Sequence, residues 1–178
     1  MKSLATLLMS LALASVAIAG PAGYAAKSPK SPVAPLAPAT GCNCFGPGAS
    51  FDIFAAGIFP EGGTEALGGG VGVTYFFNRY LGIDLNYAAY GTSSAHHEFD
   101  GNLVLRVPID SLCIAPYAIV GGGFATNSTN RGNYDVGGGL DIRIPSANCL
   151  GIFAEGAYHF AEKEADYTTV RLGLRIPF

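Results

Sequence analysis

Charge is scarce in this sequence, and basic charge scarcest: 10 Lys and Arg stand against 13 Asp and Glu, together 13% of 178 residues, for a formal net charge of -3. A nucleic-acid binder gathers Lys and Arg on one face to neutralise phosphates. That scarcity excludes nucleic acid as a partner. Also missing, beyond the N-terminal segment, is any apolar run approaching the roughly 20 residues that a membrane helix needs. The chain is nonetheless apolar overall, with a mean hydropathy of +0.33, 25 glycines, 11 phenylalanines and nine tyrosines. Only helices and closed barrels satisfy their backbone polar groups in lipid. An apolar exported chain without a spanning helix therefore points to a transmembrane β-barrel.

Export is read from residues 1–19. Lys2 supplies the positive start, Leu4 to Ile18 the apolar middle, and Ala17-Ile18-Ala19 the small-residue cleavage signal of a secretory signal peptide. The next stretch, residues 20–48, is rich in Pro, Ala, Ser and Gly, which favours extended polyproline conformations over helix or sheet. It is expected to be a periplasmic linker, serving as spacer, as plug of the barrel mouth, or as unstructured leader. Residues 49–178 leave room for one domain.

Within that domain the hydrophobic period is two, and eight strands are expected: Phe51 to Pro60, Gly68 to Asn78, Tyr80 to Tyr90, His97 to Pro108, Ala115 to Thr126, Gly132 to Ile144, Leu150 to Ala161 and Tyr167 to Phe178. In the third, Leu81, Ile83, Leu85, Tyr87 and Ala89 oppose Gly82, Asp84, Asn86, Ala88 and Tyr90. Alternation alone permits either face to be the inner one. An eight-strand barrel has an interior just wide enough for side chains, so the polar set belongs inside and the bulky apolar set outside. The expected fold is all-β, an eight-stranded antiparallel up-and-down transmembrane barrel. Aromatics form two girdles, Tyr75, Phe76, Phe77 and Tyr80 at one end and Tyr90, Phe124, Tyr134, Tyr158, Phe160 and Tyr167 at the other, as membrane interfaces favour. The Asn78-Arg79 turn is short, while Glu61 to Leu67, Gly91 to His96 and Asn127 to Arg131 are longer, which sets the short turns on the periplasmic side.

The last strand places Val170, Leu172, Leu174, Ile176 and the terminal Phe178 in one outward row. This row resembles the assembly signal of bacterial outer-membrane proteins. With segments such as YFFNRYLGIDLNYAAYG, roughly Phe51 to Phe178 resembles the OmpA/OmpX-like eight-stranded barrel family. The resemblance implies the bacterial outer membrane as location, its lipids and the barrel-assembly machinery as partners, and a role in envelope integrity or surface contact. It implies no chemistry and no cofactor, and sets no oligomeric state. Cell-wall anchoring through the peptidoglycan-binding domain of full-length OmpA is not carried over as an expectation.

Inside the barrel, Asp52, Asp84, Glu98, Asp100, Asp135, Asp141 and Glu155 are expected to face Arg106, Arg143, Arg171 and Arg175. Diagonal neighbours on adjacent strands reach one another, so Asp84 with Arg106 and Glu155 with Arg171 are the natural pairs. Such a network is either a polar conduit or a solid ionic core, and the narrow lumen favours the core. His159 shares the inner face of its strand with Glu155, an acid and an imidazole suited to proton transfer. Lipid A deacylases of this barrel size use Ser, His and an acid on the outer face, a pattern that Phe160 and Ala161 after His159 do not match. His96 and His97 beside Glu98 are read as a solvated loop pair, adjacent side chains pointing apart, and no metal site is assigned. Asn127-Ser128-Thr129 matches a glycosylation pattern of little weight. The glycine triplets at 121–123 and 137–139, on neighbouring strands, are expected to face one another and to permit curvature.

Four cysteines, Cys42, Cys44, Cys113 and Cys149, lie outside the strands and at one mouth. An oxidising compartment favours disulfides, and of the three connectivities a Cys42 to Cys44 ring is the most strained. Two bridges, each joining Cys42 or Cys44 to Cys113 or Cys149, would hold Gly41 to Gly48 across the mouth; a Cys113 to Cys149 staple is the alternative. The function these features suggest is a non-enzymatic barrel that supports the envelope and displays surface loops, with a narrow porin-like channel as the alternative.

Overall fold

The computed structural model describes residues 42–91, 96–126, 130–162 and 165–178. The expected signal peptide, the part of the expected linker before residue 42 and the Asn127-Ser128-Thr129 pattern lie outside them. The strands are β1 (Gly48–Pro60), β2 (Ala66–Phe76), β3 (Leu81–Tyr90), β4 (His96–Arg106), β5 (Ile114–Thr126), β6 (Asn130–Ile144), β7 (Leu150–Ala161) and β8 (Tyr167–Pro177), with one turn of 3-10 helix at Pro145–Ala147. Each pairs antiparallel with its sequence neighbour, and β1 pairs with β8 to close the barrel. Closure leaves no edge, so every ladder N–H and C=O is paired inside the sheet, the condition for crossing lipid.

The expected faces are the observed ones. Along β3 and β4, Asp84, Asn86, Glu98, Asp100, Asn102 and Arg106 are buried, while Ile83, Leu85, Phe99, Leu103 and Leu105 are exposed. This outward apolar surface is the one a bilayer covers. His96 and His97 are strand residues, not a loop: His96 is buried inside, and His97 lies outside, its Nδ1 2.8 Å from the Tyr87 hydroxyl.

Three readings need correction. Phe76, Tyr90 and Tyr167 are buried, so they belong to the interior and not to the girdles. They fit because inward glycines leave space beside large rings. A Cβ on Gly82 would stand 2.7 Å from the Phe76 ring, and one on Gly70 2.6 Å from that of Phe54. Nor do the triplets at 121–123 and 137–139 face one another: Gly121 pairs with Asp135, and Gly137 with Ile119. Finally, connection length does not distinguish the two ends. Segments 77–80, 107–113 and 145–149 connect strands at the end nearer the C-terminus, and 61–65, 91–95, 127–129 and 162–166 at the other; the longest is 107–113. That segment is long because it bends back on itself through an Ile109–Ile114 bridge and meets the chain before β1.

Candidate functional site

Three layers fill the lumen. Nearest the C-terminal end, register places Asp52 opposite Arg175. Arg175 donates to both Asp52 oxygens, from Nε at 3.0 Å and from an Nη at 2.7 Å, and from its other Nη to Asp141 at 3.2 Å. Arg143 donates to the same Asp141 oxygen at 2.8 Å. The Arg175 guanidinium also lies 4.9 Å from the Phe153 ring centre. Because these charges are withdrawn from water, each depends on its partners.

In the middle layer, Thr74 Oγ1 lies 2.8 Å from Asp52 and 3.0 Å from Asp84, and Asn86 donates to Asp84. Arg171 stands opposite Glu155 in the register, 2.8 Å away but off the hydrogen-bond axis. The expected Asp84–Arg106 pair is not made. Arg106 reaches instead to the mouth, donating to the carbonyls of Arg79 and Gly46 at 2.8 and 2.9 Å, its guanidinium 3.4 Å from the Phe76 ring centre.

At the other end Glu98 accepts from Tyr90 at 3.1 Å and from Asn133 at 3.3 Å, and also from the Tyr167 hydroxyl. His159, fully buried, stacks on Tyr167 with ring centres 4.5 Å apart, and its Nε2 is 2.9 Å from Thr169 Oγ1. Its neighbour is Glu98 rather than Glu155, whose ion pair is with Arg171. Asp100 and Asp135 are buried beside this group, and Asn102, with its amide turned, donates to Asp135 at 2.7 Å. Asn86 and Tyr90 were placed with Asp84 on the inner face from the sequence but given no role there, and Thr74, Asn133, Tyr167 and Thr169 were not among the inward residues marked. Parity with Asp135 on β6 was the signal for Asn133, and parity with Arg171 on β8 the signal for Tyr167 and Thr169.

The mouth at the C-terminal end is covered by Cys42 to Pro47. Phe45 is 3% exposed, with the guanidiniums of Arg106 and Arg143 5.4 and 6.0 Å from its ring centre. The Cys42 N–H donates to the Asp110 carbonyl at 3.0 Å, and Arg79 pairs with the Asp110 carboxylate at 2.8 Å. One disulfide, Cys44–Cys149, with 5.4 Å between Cα atoms, pins this strap. The second expected bridge is not formed: Cys42 and Cys113 keep their thiols and pack together with Phe45. The hydrogen bond with the Cys42 thiol, followed by burial, pushes the Cys113 thiol up to about 11. Since only the thiolate is alkylated, iodoacetamide is expected to modify Cys113 slowly at neutral pH and faster toward about pH 11. Mass spectrometry of timed samples checks this, and modification at the rate of an unperturbed thiol would contradict it.

No family model matches the sequence, and no curated protein matches it. Among solved structures, the chain is similar to the N-terminal β-barrel domain of Pseudomonas aeruginosa OprF, with TM-score 0.54 and 16% identity over 78% of this chain and 99% of that one. It is similar to Neisserial surface protein A, at 0.54 and 13% over 73% and 96%. The outer membrane enzyme PagL superposes with TM-score 0.50 and 16% identity over 71% of this chain and 99% of that one. At such identities the likeness is one of fold. The fold is that of the eight-stranded barrels of the bacterial outer membrane.

Proposed function

We propose, from the fold of an outer-membrane barrel with a filled interior, that this chain is a non-enzymatic, non-conducting barrel that reinforces the envelope and offers its rim opposite the termini for surface contacts. The observation that carries this reading is the filled lumen. The charged groups pack against two apolar clusters, one holding Phe54 and Phe153, the other Phe76, Tyr117 and Ile119, with guanidiniums lying over the rings, and the strap covers one mouth. A water path would need free space along the lumen, and there the inward polar groups are tied to one another, as Thr74 ties Asp52 to Asp84, and packed against these rings. His159 supports the non-enzymatic reading because its ring is sealed in the lumen, out of reach of lipid.

Planar bilayers provide the test. Purified protein is expected to give no unitary conductance steps at modest voltage. Steady steps would overturn the reading in favour of a narrow solute channel.

The C-terminal row carries the proposed contact with the barrel-assembly machinery. Val170, Leu172, Leu174 and Ile176 are exposed on the outer face, and Phe178 is 80% exposed, its N–H donating to the Ala49 carbonyl. Deleting Phe178 is expected to lower severalfold the folded protein recovered in the outer-membrane fraction. Unchanged recovery would remove the assembly role from this row.

A further inference from the structure

The lumen layer farthest from the termini holds more acid than the arginine at that level can balance. Glu98, Asp100 and Asp135 are all buried there, while Arg171 already pairs with Glu155. Among the described residues, no arginine or lysine makes an ion pair with any of those three carboxylates. Buried charge of one sign demands a counter-charge, which is either a proton or a cation.

Two orphaned atoms leave room for a cation. His159 Nδ1, in a fully buried ring, has no hydrogen-bond partner, and neither has Asp100 Oδ1, in a residue 6% exposed. In the tautomer that donates from Nε2 to Thr169, Nδ1 presents a lone pair to Glu98 Oε1 at 3.4 Å. In that tautomer two acceptors face each other in a space closed to water, and a cation between them satisfies both; in the other tautomer Nδ1–H points to Glu98 and the Thr169 hydroxyl donates to Nε2. Ligand atoms of Glu98, Asp100 and His159 all lie within 4.8 Å of one another.

We propose that Glu98, Asp100 and His159 form an intralumenal site for a divalent transition ion of the zinc class. One imidazole and two carboxylates are a zinc-type donor set. Bonds of roughly 2.0–2.2 Å in a tetrahedron put ligand atoms about 3.3 Å apart, which the His159–Glu98 distance already meets. The Asp100 carboxylate has to move on the order of 1 Å to complete the same geometry. Thr169 on the far ring nitrogen holds the imidazole as outer partners of zinc-bound histidines do. Tyr167 fixes its plane by stacking, and together with Tyr90 and Asn133 it orients Glu98. The ion would join β4 to β7 across the lumen, a cross-link made once folding has brought the strands together.

Protein carrying Cys42→Ser and Cys113→Ser, so that thiols do not take up metal, is refolded in detergent with Zn2+, desalted and analysed by elemental mass spectrometry. About one zinc per chain is expected to remain. Glu61→Gln, at the exposed rim, should leave this unchanged, whereas Asp100→Asn and His159→Gln should each lower it at least tenfold. Heat-modifiable gel migration shows that each variant is folded. Should a variant fail to fold, Co2+ in the unaltered site decides: a tetrahedral nitrogen and oxygen ligand field supports the proposal, and a six-coordinate, aquo-like spectrum overturns it. Zinc-free protein after refolding means that protons neutralise the layer, and zinc retained equally by both folded variants places the metal elsewhere. Either result refutes the site.

Discussion

Replacing Arg175 by methionine is expected to lower the free energy of unfolding by about 3–5 kcal/mol, the usual cost of removing one partner from a buried ion pair. Arg175 neutralises Asp52 with bonds from Nε and one Nη and touches Asp141 with the other. The methionine fills much of its volume between Phe153 and Tyr117, so the loss is mainly electrostatic. Asp141 keeps Arg143, but among the described residues Asp52 keeps only the Thr74 hydroxyl. Adding Asp52→Asn to Arg175→Met should therefore restore a good part of the stability, because the stranded charge is then gone. Urea unfolding in lipid vesicles measures both variants. A cost for Arg175→Met below about 1 kcal/mol, the range of an exposed pair, would show that water reaches this layer and would weaken the filled-lumen reading with it.

Cys44→Ser should cost about as much. The Cys44–Cys149 bridge closes a ring across a sequence separation of 105 residues, for which the chain-entropy model gives about 4–5 kcal/mol. Loss of the bridge also frees the strap, so Phe45 leaves the guanidiniums of Arg106 and Arg143, and Arg106 loses the Gly46 carbonyl. Cys149→Ser should match it. Cys113→Ser, which breaks no bridge, should cost under about 1 kcal/mol. Equal losses for Cys44→Ser and Cys113→Ser would mean that the bridge contributes nothing of its own. In planar bilayers Cys44→Ser is expected to stay silent, since the lumen layers remain when the strap lifts. Conductance appearing only in this variant would make the strap, rather than the ionic core, the barrier.

Most strand limits were legible to within two residues, and so was the inner or outer assignment of the charged side chains. Both follow from alternation, which each strand carries by itself. Glu155 and Arg171 were also legible as a pair, expected as diagonal neighbours on adjacent strands and set directly opposite one another by the register. Arg106 was not, since a long side chain near a strand end can turn either along the lumen or out to the mouth. Only the carbonyls of Arg79 and Gly46 and the Phe76 ring decide that it goes to the mouth. His159 was marked as chemically interesting with Glu155, its neighbour along the strand; closure set it instead against Glu98, three strands away.

The sequence by itself determined the all-β class, the number and order of strands, the polar interior and the apolar exterior, because period-two patterning and turn residues act over a few neighbouring positions. The tertiary structure alone decided which inward groups meet, that large rings share the interior with the charges, that the glycine triplets are offset, and which cysteines join. Those outcomes depend on the stagger between strands and on closing β1 against β8. Closure constrains the whole ring of strands at once, and no single segment encodes it.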